Sequence, residues 1–167
     1  GANEIIIESP EHTKRPEDIG PEHMAKVITL YKNRLVDLEE DSRVRYILIY
    51  KNSGKDAGEI FSHPTSFLIA TPVIPKKVKD ELDSAKQYYS YKERCIFCDM
   101  IRQELSDEDR LVIEDGKFIA FTPFASRRPF EVWILPQKHE TFFELNTELR
   151  SLAKLTKEVL SRHYKLL

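Results

Sequence analysis

His63-Pro64-Thr65-Ser66-Phe67 lies between two apolar runs, Val44 to Tyr50 ahead of it and Phe67 to Ala70 at its end. A glycine-bearing turn, Asn52-Ser53-Gly54-Lys55-Asp56-Ala57-Gly58, comes just before it. Strand, glycine turn, histidine, strand is an order suited to phosphorylated ligands. Free backbone amides in such a turn hold phosphate oxygens, and a neutral imidazole attacks phosphorus readily near pH 7. Two residues beyond His63, however, stands Thr65, whose hydroxyl needs a strong base to attack and whose phosphodiester is slow to break. The pattern therefore predicts phosphate binding more readily than turnover.

Cys95-Ile96-Phe97-Cys98 contains both cysteines of the chain. A lone pair at this spacing is a redox pair, half of a zinc site, or chance. A redox motif of the thioredoxin type opens a helix after a buried strand, whereas this one follows the polar stretch Lys76 to Arg94. Half of a zinc site is the preferred reading, with two thiolates chelating one ion from a tight turn and further ligands arriving from elsewhere.

A repeated layout suggests where those ligands lie. Glu4-Ile5-Ile6-Ile7-Glu8-Ser9-Pro10-Glu11-His12 and Glu131-Val132-Trp133-Ile134-Leu135-Pro136-Gln137-Lys138-His139 both run glutamate, apolar strand, proline, histidine. Each histidine is followed by a long amphipathic helix. The first is expected from Pro21 to Glu40, with Met24, Val27, Ile28, Tyr31, Leu35 and Leu38 on one stripe and Pro21 in the first turn. The second is expected from about Thr147 onward, capped by Asn146 or Thr147, with Leu149, Leu152, Leu155, Val159 and Leu160 on its stripe. A hairpin is expected from Arg110 to Thr122 around Asp115-Gly116. Lys76 to Arg94, after Pro72 and Pro75, reads as a polar connecting helix with a thin apolar edge. The expected organisation is α+β in two incomplete repeats, residues 1–75 and 95–167, joined by a linker helix at 76–94.

The chain has 167 residues, 41% of them hydrophobic, enough for one ordinary domain or two small ones. Its charged fraction of 32% and net charge of -2 give no reason to expect nucleic acid or a membrane surface as partner. No apolar run is long enough to span a bilayer, and the first residues show no basic segment leading into an apolar one, so a cytoplasmic location is expected.

Taken in order, Asn3 to His12, Tyr50-Lys51-Asn52-Ser53-Gly54, Ser62-His63-Pro64, Cys95-Ile96-Phe97-Cys98-Asp99 and Pro129 to His139 resemble successive motifs of the galactose-1-phosphate uridylyltransferase family, within the histidine-triad superfamily. The resemblance covers nearly the whole sequence and points to the central portion of longer family members. It implies two histidine-triad-like repeats, each an antiparallel sheet with packed helices. It also implies an enzyme of galactose metabolism that moves UMP, or another nucleoside monophosphate, between a nucleotide sugar and a hexose 1-phosphate through a covalent nucleotidyl-histidine.

The family's nucleophile is the second histidine of a His-Pro-His-x-Gln motif. Carried over by position, Thr65 falls on that nucleophile, Phe67 on the glutamine, and Ile60 on a serine that faces the phosphates. Loss of all three removes polar groups from the place where charge develops. Asn52, Gly54, Gly58, His63 and Ser66 are the matching substrate-binding positions. For zinc, the resemblance implies one site that uses His12 and His63 and a second that uses Cys95, Cys98 and His139, with His163 a conceivable fourth ligand on a helix. Nucleotide sugar or sugar phosphate is the expected ligand, and a homo-oligomer the expected state, because unpaired strand edges seek partners. A nucleotide- or sugar-phosphate-binding module without turnover, or a zinc-stabilised structural module, are the alternatives.

Other residues have plainer expectations. His23 is expected at the surface and Arg127-Arg128 in a solvated loop. Trp133 and the phenylalanines at 118, 121, 124 and 130 are expected in the core. Glu4 and Glu131, at the start of apolar strands, are expected to find polar partners.

Overall fold

The computed structural model describes residues 1–12 and 15–166. Its elements are β1 (Ala2–Ile7), α1 (Pro21–Glu39), β2 (Tyr46–Tyr50), β3 (Thr65–Thr71), α2 (Lys76–Lys92), α3 (Ile96–Asp107), β4 (Leu111–Glu114), β5 (Phe118–Phe121), β6 (Trp133–Pro136) and α4 (Leu149–Leu166). The strands form two small antiparallel sheets, ordered β1-β3-β2 and β4-β5-β6. With the four helices they make an α+β fold. Among the described residues, no helix is long and apolar enough to cross a membrane.

The helices α1 and α4 lie at the centre. Pro21 opens α1, where its missing N–H costs nothing, and the buried Met24, Ala25 and Ile28 pack against Ala153 of α4 and against Ile19. From this pair the core spreads both ways. Tyr31 and Leu38 of α1 meet Ile6, Leu68 and Ala70 of the first sheet, while Leu155 and Val159 of α4 meet Phe118 and Ala120 of the second. Full burial of a side chain such as Leu68 contributes about 1.5–3 kcal/mol.

The two sheets differ on their outer faces. The second is covered there by α3, whose Ile101 and Leu105 pack on Ile119, Phe121 and Trp133. On the first, Ile5, Ile7 and Leu48 are exposed. Pairing of Ile5 and Tyr50 with Phe67 sets this face, and Phe67 stacks between Tyr50 and Phe61 at centroid distances of 5.3 and 6.3 Å.

Several expectations need correction. The cysteine motif does not form an isolated tight turn. Cys95 caps α3, and Cys98 lies in its first turn. Phe118 and Phe121 are buried as expected, but Phe124 is 88% exposed and Phe130 is 53% exposed, the latter at a φ of +61°. His23 is not simply solvated; it is half-buried, and its Nε2–H donates to the Glu8 carbonyl at 2.5 Å.

Ile6 and Glu8 point toward α1, and Val132 and Ile134 point toward α4; these pairs lie four and two residues before Pro10 and Pro136. Glu4, two residues before Ile6, therefore faces α1 with it, whereas Glu131, two residues before Trp133, faces away from α4. Glu4 takes a two-point bond from Arg34 of α1, at 2.6 and 2.8 Å. Glu131 instead accepts from the Trp133 indole at 2.9 Å and from the Arg127 amide at 2.7 Å.

Candidate phosphate and metal sites

The glycine turn forms where the sequence places it. Gly54 and Gly58 have φ of +88° and +79°, which a residue with a Cβ adopts only under strain. Between them Lys55–Ala57 makes a single 3-10 turn. The turn is closed by its own groups, with the Gly54 amide donating to Glu59 Oε2 at 2.8 Å and Asn52 Nδ2 at 3.5 Å from the Gly58 carbonyl.

His63 and Thr65 follow, and alternation along β3 separates what comes next. Thr65 is buried, and its hydroxyl donates to the His63 carbonyl at 3.2 Å. Thr65 and Phe67 share the outer face of the sheet, while Ser66 points the other way. Ser66 has no exposed surface, and its hydroxyl donates to Glu8 Oε1 and lies 2.6 Å from the Tyr31 hydroxyl.

Around Ser66 lies a polar group that no sequence motif marks. The buried Glu8 also accepts from Tyr31 at 2.8 Å and from Lys51 Nζ at 2.7 Å, and Lys51 bonds the Thr65 carbonyl at 3.1 Å. Burial, helped by the neighbouring Glu8 charge, pushes the Tyr31 hydroxyl well above the ordinary tyrosine range. Four elements are tied at one carboxylate: the end of β1, α1, the end of β2, and β3. The only sequence signal was a glutamate at the end of an apolar run.

His12 and His63 come together, with Nδ1 atoms 3.1 Å apart. His63 Nε2 lies 2.7 Å from the Ser9 carbonyl, which can only accept. In the neutral pair His63 therefore carries its proton on Nε2 and offers the Nδ1 lone pair, to which His12 Nδ1–H donates. Shared ligation of a cation through both Nδ1 atoms would require His12 to move its proton to Nε2, beside Ser62 Oγ at 3.4 Å.

Cys95, Cys98 and His139 also meet. Their ligand atoms lie within 4.8 Å of one another, and Cys98 Sγ is 3.2 Å from His139 Nδ1. Burial, reinforced by Cys95, pushes the Cys98 thiol up, and Arg102 opposes this. Two thiols crowded beside an imidazole, at ligand spacing, could hold a metal ion, because a dication favours the thiolates that their mutual repulsion disfavours. His163 is not part of this group; it lines a cleft beside the glycine turn.

Comparison with known proteins agrees with this architecture. Residues 1–147 match the family model described as galactose-1-phosphate uridyl transferase, N-terminal domain. The chain belongs to this family, within the histidine-triad superfamily. It is 33% identical over 143 residues to an ADP-glucose phosphorylase of Arabidopsis thaliana, a match over 86% of this chain and 39% of that protein. It is 30% identical to a galactose-1-phosphate uridylyltransferase of Thermotoga maritima, over 99% of this chain and 52% of the relative. Among solved structures, an ADP-glucose phosphorylase from Arabidopsis thaliana with bound ADP-glucose superposes with a TM-score of 0.90 at 31% identity, covering 98% of this chain and 52% of that one. A galactose-1-phosphate uridylyltransferase-like protein from the same plant gives a TM-score of 0.90 at 32% identity, covering 99% and 54%. The chain thus spans about half the length of the relatives it matches.

Proposed function

We propose that the chain binds a nucleotide sugar or sugar phosphate on the Thr65 and Phe67 side of its first sheet, and that it is impaired in nucleotidyl transfer. Family membership supports the ligand class, as does the ADP-glucose bound to a relative of the same fold. The observation that carries the impairment is the state of Thr65. Thr65 is buried and its hydroxyl donates to a backbone carbonyl, and its neighbour on the same face is Phe67, in a stack of three rings. The Thr65 hydroxyl is thus spent on a carbonyl rather than on a base, and an aromatic ring stands on the face where a polar group would meet developing charge. Asn52, Gly54, Gly58 and His63 are the groups proposed to meet the ligand.

Incubation with UDP-glucose and with ADP-glucose, each labelled in the nucleotide, tests this reading. Saturable binding without an acid-labile protein adduct is expected. A stoichiometric phosphoramidate on wild-type chain would defeat the impairment, and failure to bind either compound would defeat the ligand class.

A second reading rests on the convergence of Cys95, Cys98 and His139. In it the chain is a module stabilised by zinc, held by these three side chains; the ion would tie α3 to the segment after β6. The His12 and His63 pair is a weaker candidate, since it offers two ligands and one of them must change tautomer. Self-association accompanies both readings, because among the described residues each sheet leaves both outer strands with an unpaired edge. Solution mass measurements decide that point.

A further inference from the structure

We infer that the cleft between the glycine turn, the 3-10 turn Pro16–Asp18 and the last turns of α4 is a second ligand site, one that binds a neutral sugar through its hydroxyls. The cavity is about 730 Å³, in the range of small-molecule sites. It shares Gly54 with the glycine turn proposed above and extends from there to α4, and neither Thr65 nor Phe67 lines it. Lys51 lines it and reaches Glu8, which Ser66 also bonds, and Ser66 points opposite to Thr65 and Phe67 along β3.

The charge of the cleft argues against a phosphate and for a polyol. Arg15, Lys51 and the imidazole of His163 line it together with Glu17 and Glu59, so a phosphate would meet two carboxylates among the basic groups, and Lys51 is already paired with Glu8. A sugar hydroxyl both donates and accepts. Neighbouring hydroxyls can therefore give protons to the carboxylates and take hydrogen bonds from the cations.

The polar groups are already positioned. Glu59 is held by the Gly54 amide at 2.8 Å, and Lys51 by Glu8 at 2.7 Å. Arg15 is 3.9 Å from Glu17, donates to the Tyr164 hydroxyl and lies over that ring, 5.1 Å from its centroid. Because it accepts from Arg15, the Tyr164 hydroxyl keeps its own proton for a ligand. Pro16 and Leu160 add an apolar patch for the C–H face of a pyranose. Side chains fixed before binding lose little freedom when a ligand arrives.

The test is chemical-shift mapping of the whole chain with free glucose and free galactose, repeated with glucose 1-phosphate. Saturable shifts at the amides of Glu17, Glu59 and Tyr164 with at least one free hexose are expected. Glu17→Gln and Tyr164→Phe should each weaken that binding about fivefold, the worth of roughly one hydrogen bond, while Phe124→Ala, on a distant exposed loop, leaves it unchanged. The proposal is overturned if neither free hexose shifts these amides, if binding requires the phosphate, or if both cleft variants bind as the wild type does. Thr65→His should leave the hexose shifts intact, so this site and the transfer reading fail or stand separately.

Discussion

Lys51 Nζ lies 2.7 Å from Glu8 Oε2, joining the end of β2 to the end of β1 beneath β3. The Glu8 side chain is 4% exposed and that of Lys51 22%. Removing the carboxylate leaves Lys51 with only the Thr65 carbonyl, and two hydroxyls without their shared acceptor.

Glu8→Ala should therefore destabilise the chain by about 3 kcal/mol, the low end for breaking a buried pair, and Glu8→Gln by less, since an amide oxygen still accepts from Tyr31 and Ser66. Urea unfolding with an unchanged m-value measures this. A loss below about 1 kcal/mol for Glu8→Ala, the scale of an exposed pair, would show that the network is not holding the four elements together.

Asp115 gives the hairpin a pH signature. Burial acts to raise its carboxyl, but donors from Ser151, Phe118 and Lys117 outweigh it and hold the group below the usual range. A carboxylate lowered in the folded state adds stability above its unfolded pKa of about 3.9, and that stability is lost as pH falls through the folded value. Asp115→Asn should flatten the acid side of a melting-temperature profile below about pH 4 and leave its slope near neutrality unchanged. An identical acid slope in wild type and variant would contradict the assignment.

If Thr65 and Phe67 are what silence the outer face, restoring both polar groups should matter more than restoring one. Thr65→His with Phe67→Gln is expected to gain an acid-labile label from a nucleotide sugar, while Thr65→His alone gains less, because Phe67 and the exposed Ile60 still leave the phosphoryl oxygens unsupported. Equal labelling of the single and double variants would remove Phe67 from the explanation.

For the metal reading, the expected outcome is one zinc per chain, falling to background in Cys95→Ser and Cys98→Ser and weakened in His139→Ala. Chelation should lower the melting temperature of the wild type and not that of the cysteine variants, because an ion bound only by the folded form stabilises it. Equal zinc content in all four proteins would discard this reading.

Much of this fold could be read from spacing. The stripes of α1 and α4 and the Asp115-Gly116 hairpin are strong periodic signals, and the structure follows them to within a few residues. Three isoleucines in a row, however, hide the two-residue period of β1. Only the structure shows Ile6 inside, with Ile5 and Ile7 at 55% and 65% exposure, and hence Glu8 facing inward. α3 was legible in principle, since Ile96, Phe97, Met100, Ile101 and Leu105 recur at helical spacing, but a cysteine motif read as a metal turn obscured it. The meetings of His12 with His63 and of Cys95 and Cys98 with His139 were suggested by family resemblance. No local pattern could have placed Lys51 on Glu8, because that contact depends on how three strands stack.

Ala153, with no exposed surface, sits where α4 meets α1. Tyr31 belongs both to that helix contact and to the core of the first sheet, and Leu152 both to it and to the core of the second. Among the described residues no strand pairing joins the two sheets, so whether they unfold in one calorimetric transition or in two rests on this helix contact and its flanks, where Ile19 packs into it and Lys32 donates to the Asn146 carbonyl. A side chain larger than alanine at position 153 would pry the helices apart and uncouple the melting of the two halves.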